Sequence, residues 1–148
     1  MAFPFHEQET NYTCGAACMR MVLEFFGIKK TEKQLIRLLG TNKVRGTWHK
    51  DFPRILEKYK LTYVVERSGT LEDIKRYMKG GYEVIVGYMP GECDHYSVVK
   101  KIDNDFIYFW DPSKGPDNKE GIKEFKRTWK SDPRFEEDRG WFVAIKRP

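Results

Sequence analysis

Cys14 is followed by Gly15, and the apolar or small residues at 14, 17, 18, 21, 22 and 25 fall at helical spacing. Cys14 therefore opens a helix. A helix start carries about half a positive charge and several unpaired N–H groups, which favour the thiolate, the nucleophilic form of cysteine. Gly15 is expected to let another backbone approach with no Cβ in the way. Cys18, one turn later, faces the apolar stripe and reads as an inert small hydrophobe. Taken alone, Cys14 reads as a buried structural thiol more readily than as a nucleophile.

A nucleophilic thiol needs a base, a group that orients the base, and donors for an oxyanion. The sequence has three histidines, His6, His49 and His95. His95 opens an apolar run, and the next such run ends in Trp110-Asp111-Pro112. A hairpin brings those two ends together, but its register decides the outcome. A two-residue turn at Asp103-Asn104 sets His95 opposite Pro112, with Asp111 on the other side of the pleat. A three-residue loop over 102–104 sets His95 opposite Asp111. The pairing therefore requires an odd loop or a bulge. Gln8, six positions before Cys14, can fold its amide over the helix start and supply an oxyanion donor beside the Cys14 N–H; on composition alone it reads as an exposed polar residue. His49 reads as a surface residue or the border of a groove, and His6 likewise as a surface residue. Trp110 is a candidate wall shielding a His95–Asp111 bond.

Four helices come first. The Cys14 helix is preceded by Thr13 as its cap and ends at Gly27. The next starts after Thr31 with Gln34 completing a capping box, and stops at Gly40. A third spans about 50–59, and a fourth follows Thr70. The period then changes to two. Strands are expected over 82–89, 95–102, 105–111 and 141–146, with a shorter candidate at 61–66. Phe125 and Trp129, four apart, favour a helical turn. Helices before strands argue for an α+β domain with an antiparallel sheet.

The chain has 148 residues, a length suited to one domain. With 40% hydrophobic and 15% aromatic residues it is not a disordered chain. Its net charge of +5 is concentrated: residues 29–60 hold ten Lys or Arg against three acids (Glu32, Asp51, Glu57). Such a patch can attract an acidic partner, although a solvated face is the plainer reading; a nucleic acid is not expected. No run approaches a membrane span, and the N-terminus has no basic or apolar signal segment. Three cysteines do not make a disulfide framework. A cytoplasmic protein is expected.

Gln8-x5-Cys14-Gly15-x-Ala17, His95-Tyr96-x-Val98 and Asp111-Pro112, in that order, resemble the papain-like cysteine peptidases that process double-glycine leaders, the bacteriocin-processing family. The resemblance covers roughly residues 8 to 145. It implies a single papain-like domain over 1–148, free-standing, with N-terminal helices on a C-terminal antiparallel sheet. It further implies Cys14 as nucleophile, His95 as base and acid, Asp111 as orienter, Gln8 as oxyanion donor, a thioester intermediate, a peptide or related amide substrate, and no cofactor. Thr13 departs from the family, which often has Asp there. Two alternatives stay open: a structural zinc site built from Cys14, Cys18, Cys93 and His95, and a non-catalytic binding module on the same shell.

Overall fold

Helix α1 (Cys14–Phe25) begins at the expected residue in the computed structural model, which describes residues 2–148. Thr13 precedes it but does not cap it through its side chain. Its hydroxyl is used within the preceding turn, where it accepts the Thr10 N–H at 3.1 Å. In α2 (Glu32–Leu39) the expected capping box is complete. Thr31 accepts the Gln34 N–H at 3.1 Å, and the Gln34 side chain accepts the Thr31 N–H at 2.9 Å. The third helix is divided: a 3₁₀ turn over His49–Asp51 leads into α3 (Phe52–Lys58), with Pro53 in the first turn, where its missing N–H costs nothing. Strand β1 (Thr62–Glu66) and helix α4 (Leu71–Lys79) follow, the helix capped by Thr70 and Asp73 in the same reciprocal manner.

The remaining strands are β2 (Glu83–Tyr88), β3 (His95–Ile102), β4 (Phe106–Asp111), β5 (Gly115–Gly121) and, after the short helix α5 (Ile122–Thr128), β6 (Phe142–Lys146). They form one antiparallel sheet in the order β1-β6-β2-β3-β4-β5. Helix α5 arises where Phe125 and Trp129 suggested a helical turn. Strand β5 was not expected. Its sequence, GPDNKEG, has no apolar alternation, and its backbone pairing with β4 makes it an edge strand.

Both faces of the sheet are covered. Ile85, Tyr96, Val98, Val143 and Ile145 pack with the buried residues of α1, α2 and α3. On the other side Val84, Val86, Val99, Phe109 and Ala144 pack with Leu71 and Ile74 of α4 and Phe125 of α5. Double coverage explains why β2 and β6 read as near-continuous apolar runs rather than alternating ones. The α+β layout therefore stands as expected, with α4 and α5 adding a second helical layer.

Candidate active site

The register of β3 and β4 determines the site. Ile102 pairs with Ile107 and Lys101 with Tyr108, but Val99 pairs with Phe109 and Val98 with Trp110. Lys100 is thus an extra residue, a β-bulge. Without it, side-chain alternation would put His95 and Asp111 on opposite sides of the pleat. With it they share one side. The alternative solution, a three-residue loop setting the two directly opposite, does not occur. Continued from Val98–Trp110, the register leaves Asp111 diagonal to His95. The contact is close all the same: His95 Nε2 lies 2.8 Å from Asp111 Oδ1.

Asp111 is 1% exposed and thoroughly partnered. Its Oδ1 also accepts the N–H groups of Ser113 at 2.9 Å and Lys114 at 3.1 Å, and its Oδ2 accepts Asn118 Nδ2–H at 3.0 Å. Strand β5, which supplies Asn118, therefore helps fix the carboxylate. Burial disfavours the charge, but the bond to His95, that ring's charge and the backbone N–H groups outweigh it, holding Asp111 below the usual carboxylate range.

His95 answers to the same balance. Burial alone would push its pKa down. Hydrogen bonds to Asp111 and to the Cys14 side chain, and the negative charges of both, raise it instead to about 10. Nε2 is committed to Asp111, so Nδ1 is the nitrogen left to face the sulfur. The ring is thus positioned to stay protonated beside the Cys14 side chain. Cys14 is nearly buried at 8% exposure and stands at the first residue of α1. Cys18 lies fully inside, its thiol pushed well up by burial and then by the Cys14 charge, as expected of an inert side chain.

Gln8 sits on the segment leading to α1. Its backbone N–H reaches Pro112 O at 2.9 Å, tying it to the residue after Asp111. Its Nε2 donates to Thr10 O at 2.6 Å, which uses one of the two amide hydrogens. Glu32, buried at the start of α2, receives the Glu9 N–H at 2.9 Å and anchors this segment. No sequence signal marked Glu32.

One cleft is lined by Cys14 and His95 together with Tyr12, the 43–47 turn, Asp94 and Arg134. Gly15 serves this cleft differently from the expectation. A Cβ there would fall 2.7 Å from Thr47 Oγ1, so the space is filled by the cleft wall itself rather than kept for a ligand. Trp110 is also elsewhere: it stacks on Phe3 at 4.9 Å and carries Lys100 Nζ 4.0 Å over its ring. His6 pairs with Glu24 at 3.1 Å. His49 is neither on the surface nor bordering the nucleophile's cleft; it is 3% exposed and bonded to Tyr96 and Ser131. Among the described residues no three His, Cys, Asp or Glu side chains converge to hold a metal ion. The set Cys14, Cys18, Cys93 and His95 does not form a site, because Cys18 is in the core while Cys93 is exposed. No helix among the described residues is long and apolar enough to cross a membrane.

Known proteins resemble this chain in sequence and in fold. The chain is 30% identical over 124 residues, 82% of its length, to the lactococcin-G-processing and transport ATP-binding protein LagD of Lactococcus lactis subsp. lactis, of which it spans 17%. Its fold matches the peptidase domain of Streptococcus ComA, a bi-functional ABC transporter involved in quorum sensing, with a TM-score of 0.80 at 19% identity over 99% of this chain and 100% of that one. It also matches a double glycine motif protease from an AMS/PCAT transporter, solved with the leader peptide, with a TM-score of 0.72 at 21% identity over 98% of this chain and 91% of that one. The model of the peptidase C39 family matches residues 2–132. The chain belongs to the peptidase C39 family.

Proposed function

We propose that Cys14, His95 and Asp111 act as a catalytic triad, with Gln8 as oxyanion donor, and that the chain hydrolyses a peptide bond in a leader of the double-glycine kind. The reading is carried by one observation: a buried, fully bonded carboxylate 2.8 Å from an imidazole that shares its cleft with a cysteine at a helix start. The relative that processes lactococcin G and the neighbour solved with a leader peptide support the substrate class.

The Cys14 sulfur attacks the scissile carbonyl carbon and forms a C–S bond, placing the electron pair on oxygen. The Cys14 backbone N–H and the second Gln8 Nε2 hydrogen stabilise that oxyanion. His95 passes its Nδ1 proton to the leaving amine as the C–N bond breaks, leaving a thioester. Water then attacks the thioester carbon while His95 takes its proton. Release of the carboxylate restores the thiolate–imidazolium pair. Asp111 holds the ring orientation and balances its charge throughout.

A peptide aldehyde ending in Gly-Gly, followed by mass spectrometry on intact protein, tests the reading. An adduct on the parent that is absent from Cys14→Ala is expected. Gln8→Ala should lower kcat by about 10²–10³-fold with a small change in KM. An adduct that persists in Cys14→Ala, or full activity in Gln8→Ala, would overturn the corresponding assignment.

A further inference from the structure

The cleft beside Cys14 carries an imbalance of charge that the triad does not use. Its lining includes the cations Lys43, Arg45 and Arg134 and the acids Asp94 and Asp132. Arg134 is consumed by Asp132: its Nε lies 3.0 Å from both carboxylate oxygens and its Nη2 lies 2.6 Å from Oδ2. Asp94 is occupied by the Asp132 N–H at 2.7 Å, and burial pushes its carboxyl up to about 6. Lys43 and Arg45 have no carboxylate within ion-pair distance among the described residues. Three cations against two acids leave the cleft lining net positive, and its two cations without an ion-pair partner among the described residues are Lys43 and Arg45.

Those charges sit on a rigid support. Asn42 and Gly46 exchange backbone hydrogen bonds at 3.2 and 2.9 Å, and Asn42 Oδ1 receives the N–H groups of Val44 and Arg45 at 2.9 and 3.2 Å. The next residue, Thr47, bonds Thr41 at 2.6 Å and packs on Gly15 of the nucleophile's own helix. Arg45 is half-buried, its guanidinium carbon 4.7 Å from the Trp48 ring centre, and Trp48 meets Phe135 edge-on at 6.1 Å. A guanidinium braced on an aromatic ring loses little further freedom on binding and is weakly hydrated, which suits it to a carboxylate.

We propose that the 42–46 turn forms a subsite, centred on Arg45 and assisted by Lys43, for an acidic side chain of the bound peptide. The inference rests on the peptidase reading above and adds a charge preference to it. Substrate acidity in this subsite is read by attraction to both cations. A peptide with Lys in the same place meets repulsion instead, so one residue exchange counts twice.

The test uses quenched-fluorescence peptides with a Gly-Gly core in which Glu, Gln or Lys is scanned through four positions on either side. The parent should favour Glu over Lys by about tenfold in kcat/KM at one or more positions, less so at high salt. The double variant Lys43→Glu/Arg45→Glu should invert that ratio, whereas the remote Lys79→Glu should leave it unchanged. The ratio within each enzyme cancels any general loss of activity. Equal cleavage of all three peptides by the parent, or a Glu preference that survives the double charge reversal, would overturn the subsite. The same peptides titrated into Cys14→Ala by fluorescence anisotropy separate the two claims. A Glu preference in binding with no cleavage by the parent sinks the peptidase reading and keeps the subsite; cleavage without a charge preference does the reverse.

Discussion

Two histidines in this molecule, His49 buried and His95 half-buried, are driven in opposite directions. His95 is raised to about 10 and His49 is lowered to about 4, although both are withdrawn from water. Desolvation pushes each ring toward neutrality. Around His95 it is overcome by Asp111 and the Cys14 side chain. Around His49 the close partners are neutral: Tyr96 Oη at 2.6 Å, Ser131 Oγ at 2.8 Å and the Trp141 ring stacked at 4.2 Å. The hydrogen-bond chain fixes the His49 tautomer. The single Tyr96 hydroxyl hydrogen goes to Thr47 O at 2.8 Å, so Tyr96 accepts from His49 Nδ1–H, and Nε2 accepts from Ser131. Glu136 lies 3.6 Å from that Nδ1, but burial pushes its own carboxyl up to about 7, so it supplies only part of a charge. The charge an imidazole carries is thus set by its partners, and withdrawal from water alone does not decide it.

The largest expected difference is in activity. His95→Asn should lower peptide hydrolysis by roughly 10³–10⁴-fold, as loss of a triad base does elsewhere. His49→Asn should cost only a few-fold there, with its main effect on stability. Comparable losses in kcat/KM for the two variants would erase the distinction. Next comes Asp111→Asn, which removes the carboxylate that opposes desolvation of His95. The alkaline limb of kcat/KM, near pH 10 in the parent, should then move toward the ordinary histidine range near 6.5, with kcat reduced by about 10²-fold or more.

Stability against pH sharpens the contrast further. The folded state binds the His95 proton more tightly than the unfolded chain, so the contribution of that ring is present below 6.5 and is lost as pH rises toward about 10. At His49 the unfolded chain binds the proton more tightly, and stability is lost as pH falls from 6.5 toward about 4. His49→Phe should flatten the acid-side loss relative to the parent by up to about 2–3 kcal/mol, measured by urea denaturation at pH 4.5 and 7. A parallel pH profile in the variant would show that His49 titrates normally. The smallest effect is expected from Ser131→Ala, about 1 kcal/mol, because it leaves His49 Nε2 buried without a donor.

The contrast also separates what the sequence made legible from what it did not. The His95–Asp111 pair could be reasoned from strand ends and alternation because two apolar runs defined the hairpin. The bulge that completes it, at Lys100, has no local signature, since only the requirement for a shared face called for an odd residue. The capping box at Thr31, the helix start after Thr70 and the apolar periods of α2 and α4 were plain. Strand β5 was invisible, because an edge strand bonded through its backbone needs no apolar side chains. His49 was misread for a similar reason. Its neighbours Trp48 and Lys50 suggest a surface, and what buries it is distant: Trp141 stacks on it, and Gly87, where a Cβ would fall 2.7 Å from His49 Cε1, makes the room. Thr47, rather than a ligand, filling the space above Gly15 was likewise a long-range fact.

The thiolate–imidazolium pair at the start of α1 is the claim on which the chemistry rests. An NMR titration of the His95 ring in the active protein, assigned by comparison with His95→Asn, measures it directly. A midpoint near 10, falling markedly in Cys14→Ala, is the predicted result. A midpoint at or below 6.5 that Cys14→Ala leaves in place would contradict it.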